Sequence, residues 1–398
     1  MAGDKTIWSV GGGKGGVGKS VATANIGCAL AMRGAEVVVV DADLGGANLH
    51  TYFGIKSPAT GLDDFLKGRA SRLEEVMIPT GVKGLSLISG AGEFLGIANP
   101  AFSQKQRLIT HIKRIEADYI LVDLGAGSSY NVLDFFAVSN TGIVVLVPEP
   151  AAVQNAYIFL KSFVYRRLQR LFSGDRRITE MITEATDSRS PGSVRSFSDL
   201  CERISREDVG SAERALAEVK SFRPRLLLNM ATSEQDLKAV DAFKGAAAAF
   251  LGLDTEFAGV IYSRAAVKAA ARKMRPFMLD DAAEESRGEL MAVVDNLVGR
   301  PEQPVSPGPP ARECEVFGYN DNVSHMGTVF HVQTEVQGGS APSVETIVYN
   351  GGRIFFSKKS LWNELSGTLP GVSLKDFSAR QHKAAIAAVR LNKINVRS

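Results

Sequence analysis

Cysteine is scarce in this sequence. Only Cys28, Cys201 and Cys314 occur in 398 residues, far apart and never as CxxC. Their spacing excludes a cysteine-ligated zinc or iron–sulfur site and a disulfide scaffold, and it fits a reducing cytoplasm. Long apolar runs are also missing. None approaches the roughly 20 residues that cross a bilayer, and the opening residues Met1-Ala2-Gly3-Asp4-Lys5 lack the apolar core of a signal peptide. Charge of either sign is not in large excess: 46 Lys and Arg stand against 43 Asp and Glu, so the chain as a whole gives no electrostatic ground for nucleic-acid binding. A soluble, cytoplasmic protein is expected, with peripheral contact at the inner face of the cell membrane left open.

What is present is a globular composition, 45% hydrophobic and 22% charged, in a chain long enough for two domains. Through the first three hundred residues short apolar runs alternate with helical stretches. The runs are Thr6–Val10, Glu36–Asp41, Leu85–Ser89, Tyr119–Asp123, Ile143–Val147, Arg225–Asn229 and Ala258–Ile261. They are continuous rather than alternating, as strands are when helices cover both faces of their sheet. The expected fold is therefore α/β, with a mainly parallel sheet flanked by helices. Ser20 to Arg33 reads as a helix closed by Gly34.

Residues 163–222 are polar, Arg-rich and strand-poor, and predict a helical surface insertion whose arginines form a solvated face or a basic docking surface. Residues 301–311 form a Pro-rich linker. Beyond it, residues 312–398 predict a small β-rich domain: strands at Thr328–Glu335, Val344–Tyr349 and Arg353–Ser357, an Asn350-Gly351 hairpin turn, and a helix from Leu374 to Leu391. His331 is expected on a strand surface rather than as a ligand.

The chemistry lies just after the first run. Gly13-Lys14-Gly15-Gly16-Val17-Gly18-Lys19-Ser20 fits G-x-x-x-x-G-K-[ST] in full. Glycines let successive backbone N–H groups face an anion, and the helix that follows directs its positive dipole end to the same point. Lys19 would reach phosphate oxygens and the Ser20 hydroxyl would ligate Mg²⁺. Two further apolar runs end in carboxylates, at Asp41-Ala42-Asp43 and at Asp123 before Leu124-Gly125-Ala126-Gly127. Ligands in open α/β sheets sit beyond the carboxyl ends of the strands, so these carboxylates face the phosphate site. Asp123 would hold Mg²⁺, and Gly125 and Gly127 give a second switch its freedom.

The second lysine, Lys14, makes the loop resemble the deviant Walker A signature of the MinD/ParA family of SIMIBI-class P-loop ATPases. The resemblance covers about residues 1–300. It implies an ATPase that takes ATP and Mg²⁺, in which Lys14 reaches the partner's ATP across a nucleotide-sandwich homodimer. It also implies that Asp43 orients the attacking water, that Asp41 lies nearer the magnesium shell, and that Asn229 meets the adenine. Asp43-Leu44-Gly45-Gly46-Ala47-Asn48-Leu49-His50 and Gly61-Leu62-Asp63-Asp64-Phe65-Leu66 look similar to the FlhG/FleN-like branch. Members of that branch and MinD attach to membranes by an amphipathic helix; here Glu289–Val298 is expected to face the core instead.

The implied function is a molecular switch that dimerises on ATP, hydrolyses it slowly until an unidentified protein partner stimulates it, and controls the placement or number of a cellular structure, flagellar or polar. The alternative is a nucleotide-regulated DNA- or membrane-binding module with negligible hydrolysis.

Overall fold

The computed structural model describes residues 5–90, 102–139, 141–187, 189–299, 318–337, 342–350, 353–362 and 372–391. The linker at 301–311 and the domain limits at 300 and 312 lie outside the described residues. Described residues within Met1–Ala98, Ile109–Arg167 and Val194–Val305 form one compact unit, and those within Asn99–Leu108, Leu168–Ser193 and Ser306–Ser398 form a second.

The first unit is built on eight strands: β1 (Thr6–Gly11), β2 (Val37–Asp41), β3 (Met77–Pro79), β4 (Leu85–Ile88), β5 (Tyr119–Asp123), β6 (Ile143–Leu146), β7 (Arg225–Ala231) and β8 (Glu256–Tyr262). Their order is β3-β4-β2-β5-β1-β6-β7-β8. All seven apolar runs are strands, paired in parallel, and only β3 runs antiparallel, on β4 at the edge. The physical reason is visible in β2, whose four valines and Asp41 are all buried. Helices cover both faces of such a strand, so apolar side chains are required on both.

The helices along this part of the chain are α1 (Lys19–Met32), α2 (Leu62–Leu66), α3 (Phe102–Ile112), α4 (Tyr130–Phe136), α5 (Pro150–Leu171), α6 (Arg176–Thr186), α7 (Phe197–Ser205), α8 (Val209–Lys220), α9 (Lys238–Ala246), α10 (Ala265–Arg272) and α11 (Glu284–Val298). Helix α1 is small-residue-rich and buried from Ala22 to Ala31, as befits a helix enclosed on all sides. It ends at Arg33 and Gly34, the latter with φ +89. Helix α11 buries Leu290, Val293, Val294 and Leu297 against α1 and β8, so its apolar stripe does face the core.

The described residues of the insertion between β6 and β7 form helices joined by turns, with no strand among them, and α6, α7 and α8 start on the capping side chains of Asp175, Ser196 and Asp208. Its arginines are not a uniform solvated face. Arg166 is buried, its guanidinium 3.1 and 3.2 Å from the two carboxylate oxygens of Asp134 on α4, and it lies over the Tyr130 ring. Arg167 donates to Glu218 Oε1 at 2.6 Å. Phe159 and Phe163 of α5 and the nearby Phe222 are fully buried, and all three meet the Phe136 ring edge-on. This stretch begins inside the core, and a composition rich in arginine does not show that.

The second unit carries a four-stranded antiparallel sheet, β9 (Gly318–His325), β10 (Thr328–Gln337), β11 (Ser343–Asn350) and β12 (Arg353–Leu361), in the order β12-β11-β10-β9. The last helix, α12 (Leu374–Arg390), packs on it around Val323, Val332, Val348, Ala385 and Val389. Asn350 pairs with Arg353, and the expected Asn350-Gly351 turn lies partly outside the described residues. His331 is half-buried on β10, with Nδ1 2.9 Å from Asn322 Oδ1. Under α12 hydrogen bonds link Gln381 Nε2 to Thr346 Oγ1, Thr346 Oγ1 to Thr334 Oγ1, Thr334 Oγ1 to His382 Nδ1, and His382 Nε2 to Asp321. Burial lowers the His382 pKa, against the hydrogen bond and charge of Asp321.

Candidate functional site

The loop from Gly12 to Gly18 joins β1 to α1 at the carboxyl end of the sheet's central strands. It lies tight against α5: a Cβ on Gly13 would fall 1.9 Å from the Asn155 carbonyl oxygen, so no other residue fits there. Gly15 and Gly16 are exposed and Val17 is buried under the loop. Lys19 is 8% exposed. Burial lowers its pKa, while the carboxylates of Asp123 and Asp43 favour its charged form.

Asp123, at the end of β5, is buried and gathers two hydroxyls from α1. The Ser20 hydroxyl donates to Oδ2 at 2.5 Å, and Thr23 Oγ1 is 3.0 Å from Oδ1. Burial pushes the Asp123 carboxyl up to about 6, against the hydrogen bonds from Ser20 and Thr23 and the Lys19 charge. Thr23 was not singled out in the sequence; its signal is the i+3 spacing from Ser20, which puts both hydroxyls on one helix face. Ser20 and Asp123 supply adjacent hard oxygen donors, the kind Mg²⁺ takes when substrate phosphates and water complete its shell.

Asp41 neighbours Asp123 across the β2–β5 pairing and is fully buried. Its Oδ1 accepts from the Asp43 N–H at 3.2 Å and its Oδ2 from the Leu49 N–H at 2.9 Å. Burial first, then the Asp123 charge, raises its pKa well above the usual carboxylate range. Asp41 thus ties down both ends of the loop that carries Asp43. The Asp43 carboxylate lies against Gly125, where a Cβ would come within 3.0 Å of Oδ1.

The two lysines of the loop go different ways. The Lys14 side chain is 41% exposed and its ammonium stands 2.9 Å from Oε2 of Glu149, between Pro148 and Pro150 at the end of β6. Glu149 carries no motif that would have singled it out. Asn229, at the end of β7, is buried and donates from Nδ2 to the Val17 carbonyl at 2.9 Å, bracing the loop from the side opposite Asp123. The structure brings Lys19, Ser20, Asp41, Asp43 and Asp123 together; it keeps Lys14 out on Glu149.

The ParA family model, described as NUBPL iron-transfer P-loop NTPase, matches residues 4–162. The flagellum site-determining protein YlxH of Helicobacter pylori is 38% identical over 151 residues, 37% of this chain and 50% of that protein. The antiactivator FleN of Pseudomonas aeruginosa is 31% identical over 157 residues, 39% of this chain and 55% of that protein. The chain thus spans about half the length of the curated relatives it matches. The solved Cyanothece McdA–ATP complex shares the fold, with a TM-score of 0.50 and 14% identity over 75% of this chain and 98% of that one. Over residues 4–162 the chain is similar to the ParA/MinD family of P-loop NTPases.

Proposed function

We propose that the protein is a Mg²⁺-dependent ATPase switch: it binds ATP, pairs face to face with a second copy, and separates again when the ATP is hydrolysed. The names of its relatives, one determining a flagellum site and one an antiactivator, support a task in setting the place or number of a cellular structure through a protein partner. In this reading the loop N–H groups and Lys19 hold the phosphates, Ser20 and Asp123 hold Mg²⁺, Asp43 orients the attacking water, and Asn229 lies toward the base. Bound Mg²⁺ would offset charge on the terminal phosphates.

The observation that carries the proposal is the division between the two lysines. Lys19 is enclosed with the carboxylates, where its charge serves its own nucleotide. Lys14 is held outward by an exposed ion pair, an interaction weak enough to exchange for a phosphate presented by another chain. A cation supplied across an interface stabilises transferring phosphoryl oxygens and is worth roughly 10³-fold or more in rate. Because a switch needs two long-lived states, slow hydrolysis accelerated by a partner follows.

The test is the solution mass of Asp43→Ala, which should hold ATP without cleaving it, with and without Mg·ATP, beside the same variant carrying Lys14→Ala. Dimerisation on ATP in the first and not in the second is expected. An unchanged monomer that still binds ATP would leave a nucleotide-regulated DNA- or membrane-binding module in its place.

A further inference from the structure

Asp123 closes β5 beside Asp41, which closes β2 in the same register, and both side chains are buried. Carboxyl groups so placed stand about 5 Å apart, one strand spacing. Asp41 therefore gives the Asp123 carboxylate a second direction in which to turn, toward a shared proton or away from a like charge. Rotation about the last side-chain bond of an aspartate is soft, so the group must be held from outside. Two hydroxyls on one face of α1 hold it: Ser20 donates to Oδ2 at 2.5 Å, and Thr23 Oγ1 stands 3.0 Å from Oδ1. A single bond would leave the carboxylate a pivot, whereas one bond to each oxygen fixes its plane.

The two hydroxyls are not equivalent. Ser20 is half-buried at the start of the helix, where its oxygen can serve a cation. Thr23 is 0% exposed and one turn deeper, and its Oγ1 also lies 3.0 Å from the Lys19 carbonyl oxygen. Its one hydrogen thus faces two acceptors at equal distance. The charged carboxylate is the stronger of them, and the β-branched side chain has few other rotamers open to it. Thr23 is pinned between the backbone of Lys19 and Asp123, behind the site rather than in it.

We infer that Thr23 is a positioning residue for divalent-cation binding: it holds the plane of the Asp123 carboxylate so that Oδ2 stays turned to Ser20. This rests on the Mg²⁺-dependent nucleotide reading above. In this role Thr23 meets neither phosphate nor cation and acts through Asp123. Loss of a group that orients a metal ligand costs roughly 10–100-fold in metal affinity. Thr23 therefore sets how much Mg²⁺ the protein needs, and leaves the grip of the loop on phosphate as it was.

The test is calorimetric titration of ATP into the full chain over a series of Mg²⁺ concentrations, and again in EDTA, for the unaltered chain, Thr23→Val, Thr23→Ala and Thr23→Ser. Valine keeps the shape of the side chain and alanine favours the helix, so if one variant folds poorly the other carries the test. The Mg²⁺ concentration that half-maximally tightens ATP binding is expected to rise about tenfold or more in the valine and alanine variants. It should return toward the original value in Thr23→Ser, while ATP binding in EDTA stays the same throughout. An unchanged Mg²⁺ requirement in a folded variant without the hydroxyl overturns the inference. An equal loss of ATP binding in EDTA also overturns it, because Thr23 would then be supporting the loop through Lys19. So does a serine variant as impaired as the valine one, since the methyl group and not the hydroxyl would matter. Failure of the unaltered chain to bind ATP, with Mg²⁺ or without, would instead remove the nucleotide reading itself.

Discussion

At the scale of single residues the site depends on close approach as much as on charge. Gly13 is the sharpest case, since a Cβ there would run into the backbone of α5 at Asn155. In Gly13→Ala the loop must shift, and overpacking of this kind costs about 1–3 kcal/mol. Isothermal titration should show ATP affinity reduced by about tenfold or more, with the remainder of the chain folded by circular dichroism; wild-type binding with an unchanged melting point would sink this account. The residues that matter were unequally legible. Lys19, Ser20, Asp43 and Asp123 could be read because phosphate and Mg²⁺ chemistry fixes both residue type and spacing. Glu149 and the Asn229–Val17 bond could not, because their partners lie 135 and 212 residues away and nothing local selects them.

At the scale of elements, two-sided burial made the parallel strands legible: it demands unbroken Val, Ile and Leu, and β2 and β6 are buried at every position. The strands that escaped are those without that demand. β3 is three residues long and ends in Pro79, and β9 reads Gly-Tyr-Asn-Asp-Asn-Val-Ser-His with one buried side chain, Val323. Its turn to β10 is Met326-Gly327, lacking the Asn or Asp that usually announces such a turn. Helix α5 shows the opposite failure, a charged residue read as solvated that is buried. Replacing Arg166 by Met leaves Asp134 buried without its bidentate partner, and about 3 kcal/mol should be lost from the urea-unfolding free energy. Changing Asp134 to Leu as well should recover much of it, and a loss in the double variant as large as in the single one would show that the pair is not what matters.

At the scale of the whole molecule, the two units should respond to acid separately. In the second unit burial pushes His331 down to about 4 and lowers His382 as well; the carboxylate of Asp321 works against both shifts, and the two histidines oppose each other's charging. A histidine with a depressed folded pKa binds fewer protons folded than unfolded. The stability it lends is complete above the unfolded value of 6.5 and is withdrawn as pH falls toward about 4. The two tryptophans allow a direct reading, since Trp8 belongs to the first unit and Trp362 to the second. In Trp8→Phe the Trp362 emission should report a denaturation midpoint that drops between pH 6.5 and 4; a flat midpoint across that window would contradict the buried neutral histidines. The first unit holds its site by a different device. From Asp123, which grips Ser20 and Thr23, the chain passes Gly125 beside Asp43 and enters α4, where Asp134 clasps Arg166 of α5. Helix α5 then leads back to Asn155 against Gly13 and to Glu149 on Lys14. One stretch of chain, buckled at its middle, therefore holds the loop between two jaws, and neither jaw opens without loading the buckle.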